Sequence, residues 1–260
     1  MAGWTPDGLL DWLAAPAAPA PSTLVVVAHP DDETIGAGAT LADLAGCRVL
    51  HVTDGGLGGP PEERRAEVTR ALAIAGFQGQ LLPCLGAGDQ EAARRLVPLV
   101  HKLVPILRDD PPDLVLTHPF EGGHPDHDAT AFIVSAAICA LRRAGTVAPT
   151  VVEMTFYWWR DTQIVPYEFL PAEGHRVVTR SLNAEEHDRK TRMFGCFETQ
   201  RNVLPDFLPI EFERFRVVPT YDFRTRPRDG DTFGKASSMA LDAWCRLASA
   251  ALDELAAEPA

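Results

Sequence analysis

The tripeptide His-Pro-Asp occurs twice in this chain, as Ala28-His29-Pro30-Asp31-Asp32-Glu33 and as Gly123-His124-Pro125-Asp126-His127-Asp128. Adjacent carboxylates at Asp31, Asp32 and Glu33 repel one another, and a divalent cation relieves that repulsion. Two imidazoles with one carboxylate are a usual protein set for a catalytic zinc that keeps a position open for water. His29 and Asp32, three residues apart through a turn, could supply two ligands, and His127 the third. Zinc so held lowers the pKa of a bound water to about 7. Asp31, beside Asp32, is then placed to take the proton. His124, oriented by Asp126, is placed to donate to the developing oxyanion or the departing nitrogen. His118, followed by Pro119, is a weaker candidate ligand. A plainer reading of residues 31–33 is capping of a helix, where acids suit the dipole; it does not call for the histidines.

These groups meet only if the elements carrying them bring the two turns together. Proline disfavours α geometry in the residue before it, so His29 and His124 should be extended with the chain turning just after. Leu24 to Ala28 is a continuous apolar run, as in a strand buried on both faces of a parallel sheet. Further strands are expected at 48–52, 80–84, 113–117 and 149–156. Helices are expected near 35–44, 62–75, 90–107 and 128–143, with interruptions at Pro98 and Pro105. This alternation predicts a Rossmann-like, open, mostly parallel α/β sheet of order 3-2-1-4-5 with helices on both faces. In that order strands 1 and 4 are neighbours, and the loops leaving them border a crevice at the switch point. Residues 1–21 read as a helix and an Ala/Pro linker, and 22–157 as the catalytic core. Residues 158–260 read as a smaller irregular lobe, with helices near 184–197 and 232–255.

Ala-His-Pro-Asp-Asp-Glu followed much later by His-Pro-Asp-His resembles the PIG-L or LmbE-like family of zinc-dependent N-acetylglucosaminyl deacetylases. The resemblance includes Val52-Thr53-Asp54-Gly55 and Arg64-x-x-Glu67, and fades beyond Phe156 apart from the segment Lys190 to Gln200. It implies a hydrolase that removes an N-acetyl group from an amino sugar or its conjugate. By the same resemblance His29, Asp32 and His127 match the metal ligands, Asp31 the base, and His124 with Asp126 the acid-side pair. Arg64 matches a position associated with substrate contact; as a residue of Glu62-Glu63-Arg64-Arg65 it reads equally as an exposed, weakly paired cation.

A net charge of −12 argues against a nucleic-acid partner, which needs clustered cations. Five scattered cysteines without a Cys-x-x-Cys pair point to a reducing cytoplasm, and no Lys or Arg precedes Arg48 as an export signal would require. No apolar run is long enough to span a bilayer. A homo-oligomer is left open. Gly36-Ala37-Gly38-Ala39 with Asp54 imitates a dinucleotide fingerprint, so a nucleotide-dependent Rossmann enzyme is one alternative. It is weakened because the first glycine lies well past the strand end and Leu41 stands where a third glycine belongs. A non-catalytic carbohydrate- or metal-binding protein of the same fold is the other alternative. Tyr157-Trp158-Trp159-Arg160 suits either stacking on a sugar or packing of the second half. The arginines between Arg176 and Arg228 read first as ion-paired surface.

Overall fold

Strand β1 (Thr23–Val27) is buried along its whole length, which is why its sequence is apolar without alternation. The computed structural model describes residues 3–208 and 211–258. On either side of β1 lie β2 (Arg48–His51) and β4 (Leu114–Thr117), both parallel to it. Beyond them come β3 (Gln80–Leu81) and β5 (Thr150–Met154), also parallel, so the central order is 3-2-1-4-5. Leu24, Val26 and Val115 point to one face, packed under α4 (Leu96–Asp109), α5 (Pro125–Arg143) and α7 (Leu241–Ala257). Val25, Val27, Leu114 and Leu116 point to the other, under α1 (Pro6–Ala14), α3 (Pro61–Ala75) and α6 (Ala184–Phe194). Strand periodicity of two thus divides the apolar residues into two cores.

The second half contains strands that the sequence did not announce. A hairpin joins β6 (Tyr157–Arg160) to β7 (Gln163–Pro166), while β8 (Val177–Ser181) and β9 (Phe212–Val217) extend the main sheet beyond β5, both pairs antiparallel. The full order is β3-β2-β1-β4-β5-β9-β8.

Three expected boundaries shift for identifiable reasons. The helix expected at 35–44 is α2 (Asp32–Ala37) followed by one 3-10 turn at Thr40–Ala42. Glu213 of β9 accepts the backbone N–H groups of Ala39 (2.8 Å) and Thr40 (3.1 Å), drawing them from the helical carbonyls. The helix expected from residue 90 begins at Leu96, so Pro98 falls in its first turn, where proline costs little; Pro105 sits inside without ending it. The final helix begins at Leu241, not near 232, because Gly230 and Gly234 have positive φ (109° and 57°). A Cβ on Gly234 would lie 2.2 Å from the Trp159 ring, so this segment is shaped to pack on the hairpin. Among the described residues no helix is long and apolar enough to cross a membrane.

Candidate active site

Both His-Pro-Asp turns leave the carboxyl ends of adjacent strands, β1 and β4, and face each other across a cavity of about 330 Å³. His29, Asp31, Asp32, His124 and His127 all line it. Asp32 joins the turns: its Oδ2 lies 3.3 Å from His29 Nδ1 and its Oδ1 lies 3.3 Å from His127 Nε2. The His29 N–H donates to Asp32 Oδ2 (2.7 Å), which fixes the carboxylate within its own turn. His29, His124 and His127 can also place one ring nitrogen each within 4.8 Å of one another.

These groups suit a divalent cation. Zinc–nitrogen bonds of about 2.0–2.1 Å at the tetrahedral angle set ligand atoms about 3.3 Å apart, the spacing found around Asp32. The electrostatics agree. Burial works against a charged His29, yet hydrogen bonds from its ring to Asp126, Asp32 and Asp89 hold its pKa well above the ordinary imidazole value. Burial likewise opposes the Asp32 anion, but His127 and His118 keep it well below the usual carboxylate range. Acids converge here and call for positive charge. His127, by contrast, is lowered to about 4 by burial, with Asp32 opposing, so it presents a neutral ring able to ligate.

Asp31 is held apart from the helix it precedes. Its carboxylate makes no capping bond; instead Oδ2 accepts from the Arg64 guanidinium at 2.9 Å. Its φ of 151° is rare for a residue with a side chain, a local strain of the kind that concentrates at functional sites. Burial pushes its carboxyl up to about 7, with Arg64 pulling the other way and Asp32 adding to the rise. The third acid of the run, Glu33, turns away and meets His51 Nε2 at 3.0 Å. The capping reading of residues 31–33 therefore fails for the side chain of Asp31.

Two expected roles are changed by the geometry. Asp126 does not orient His124 through its carboxylate. That carboxylate accepts from the N–H groups of Gln90 (2.6 Å) and Ala92 (3.1 Å) and faces His29 Nε2 at 3.2 Å. Asp126 follows Pro125 in the first turn of α5, and its side chain reaches back to the loop after β3. The backbone N–H of Asp126 does reach His124, donating to Nδ1 at 3.2 Å and leaving the hydrogen of a neutral ring on Nε2. Burial and the neighbouring imidazoles His29 and His127 lower His124 to about 3, so it is a neutral donor. Arg64 is not an exposed cation: it is buried, and besides Asp31 it bonds Pro30 O, Glu67 Oε2 (3.3 Å) and Thr199 Oγ1 (3.2 Å).

His118 lies behind His127, its ring stacked on that of His127 with centroids 4.1 Å apart. The Ala28 N–H can only donate, so His118 Nε2 accepts it (3.0 Å) and has no free lone pair for a metal; its 3.3 Å approach to Asp32 Oδ2 is a contact. Asp89 escaped the sequence reading. It sits 3.4 Å from His29 Nε2, on the loop after β3, and the one available signal was that such loops open onto the same sheet edge. Gln200, Leu204, Phe207 and Lys235 of the second half complete the cavity. Tyr157 walls it, its ring 5.5 Å from that of His127, whereas Trp159 is a packing residue whose Nε1 donates to Gly123 O (2.9 Å). The dinucleotide-like glycines pack as well: a Cβ on Gly36 would lie 3.0 Å from Met154 and Phe156.

Solved structures share this fold. The A40926 pseudoaglycone deacetylase Dbv21 is 21% identical over 77% of this chain and 98% of its own, with a TM-score of 0.55. The N,N'-diacetylchitobiose deacetylase of Pyrococcus horikoshii is 18% identical over 82% and 91%, with a TM-score of 0.55. A deacetylase of the teicoplanin biosynthesis pathway is 20% identical over 77% and 100%, with a TM-score of 0.53. Residues 24–138, from β1 through most of α5 and including both turns, match the family model described as PIG-L, GlcNAc-PI de-N-acetylase.

Proposed function

We propose that the protein is a zinc-dependent hydrolase that removes an N-acetyl group from an amino sugar or sugar conjugate, with His29, Asp32 and His127 as ligands. The observation that carries this reading is Asp32 set between two imidazoles from separate turns, with Asp31 beside it under Arg64. Acetamide as the bond cleaved rests on the family match. The chemistry zinc supplies when bound is polarisation of the amide carbonyl and acidification of a water.

The chain's own residues do the rest. Asp31, on a strained backbone and aimed by Arg64, takes the proton from the attacking water. His124, with its hydrogen on Nε2, donates to the oxygen that gains charge as the carbonyl carbon becomes tetrahedral. As the C–N bond breaks, the amine leaves with the proton that Asp31 took. Asp126 holds His29 through Nε2, the carboxylate–histidine arrangement that fixes a ligand's ring and tautomer. Asp89 faces the same nitrogen. The division at 22–157 and 158–260 is a division of labour: the first part supplies ligands and base, and the second walls the cavity and sets which acceptor fits. The five free cysteines suit a reducing cytoplasm.

The test is acetate release from a panel of N-acetyl sugars, their conjugates and non-sugar acetamides. Release from an acetylated amino sugar or conjugate, lost on chelation and restored by zinc, is expected. Zinc-loaded protein inert toward the whole panel would contradict it and favour a binding role.

A further inference from the structure

A φ of 151° at Asp31 is unfavourable for a residue with a side chain, and such a conformation persists only where the surroundings over-determine it. Both peptide groups that flank the Asp31 Cα are fixed. The following one belongs to the first turn of α2, where the Asp31 carbonyl accepts from the N–H groups of Thr34 (2.9 Å) and Ile35 (3.0 Å). The preceding one, between Pro30 and Asp31, is gripped at both ends by side chains. Arg64 Nη2 donates to its carbonyl oxygen, and its N–H donates to Glu33 Oε2 at 3.2 Å. Turning this peptide is what changes φ at Asp31. Glu33 is anchored in its turn: Thr34 Oγ1 donates to Oε1 (2.8 Å), and His51 Nε2 of β2 meets Oε2 at 3.0 Å. Both Glu33 and His51 are buried, a costly placement for an acid that these partners offset.

We propose that Glu33, anchored by His51, is a positioning residue: it holds the Pro30–Asp31 peptide, and through it the strained backbone that aims the Asp31 carboxylate. This inference rests on Asp31 being the general base. Glu33 and His51 lie outside the lining of the catalytic cavity, so neither touches substrate, and their effect falls on kcat and not on KM. The role asks for an acceptor at Oε2, not for charge, and a glutamine amide oxygen supplies one with the same reach.

Kinetics, zinc content and crystal structures of the metal-free variants test this. Glu33→Met fills the same space without an acceptor. Its kcat should fall about 10²-fold, the cost of a misplaced group, with KM and zinc content unchanged. In its crystal the Asp31 φ should leave 151°. Glu33→Gln should retain that φ and keep kcat within about threefold of wild type. His51→Phe, which removes the anchor on β2, should lower kcat about tenfold, the worth of one hydrogen bond. An unmoved Asp31 φ or wild-type kcat in Glu33→Met would overturn the proposal, as would Glu33→Gln as impaired as Glu33→Met. A loss carried by KM or by zinc content would do the same. Wild-type kcat in His51→Phe would overturn it even if Glu33→Met did not fold. Wild-type protein inert toward every N-acetyl compound would instead refute the deacetylase reading, and the Asp31 φ in the variant crystals would still decide what Glu33 does.

Discussion

Asp31 and Asp32 are chemically identical neighbours with different surroundings, and the surroundings assign their work. Asp32 lies between two imidazoles, whereas Asp31 is turned by a strained φ toward one guanidinium. Asp31→Asn should keep the bound zinc and lower turnover by about 10²–10⁴-fold, the range of general base catalysis; metal content and single-substrate kinetics read both. Wild-type turnover in that variant would remove Asp31 from the mechanism. Arg64→Met should lower turnover while leaving zinc content unchanged, since it aims Asp31 and touches no ligand atom; loss of metal instead would show that it holds the first turn. The residues that line the cavity from the two turns were legible in the sequence because His-Pro-Asp appears twice at strand ends. Asp89 and the partners of Asp126 were not, because a carboxylate's partner depends on which loop it meets in space.

At the level of elements, β9 binds the second half to the first. Glu213 accepts from the backbone of Ala39 and Thr40 and from Lys190 Nζ of α6 (2.7 Å), with Lys190 also donating to Ile35 O (2.9 Å). Both partners are buried, so removing one leaves an uncompensated charge. Lys190→Met should destabilise the fold by about 3–5 kcal/mol, read as a shift in the urea midpoint at constant m. A change below about 1 kcal/mol, typical of exposed pairs, would show that the latch is not what joins β9 to α2. Strands β1, β2 and β4 were readable because each is a short apolar run followed by a helix. Strands β6 to β9 were not: β8 alternates buried Val178 and Arg180 with exposed neighbours, and its charged inner residue conceals the period.

For the whole molecule, buried carboxyls make stability depend on pH. Burial holds Glu121 well above the ordinary glutamate range, with the Leu170 N–H opposing and Glu153 adding to the rise. The folded state then binds more protons than the unfolded chain above about pH 4.5, so this contribution is full below that pH and is lost as pH rises through the elevated value. Glu121→Gln should flatten the fall in unfolding free energy as pH rises above about 4.5; an unchanged slope would assign the effect to other groups. The largest consequence of the fold is that β1 and β4 lie side by side, which sets two turns some ninety residues apart against one another. Anomalous diffraction at the zinc edge tests that consequence most directly. The expected result is one zinc peak about 2.0–2.2 Å from a nitrogen of His29, an oxygen of Asp32 and a nitrogen of His127. A zinc-soaked crystal with no peak between the turns, or with a peak that His127 does not reach, would contradict it.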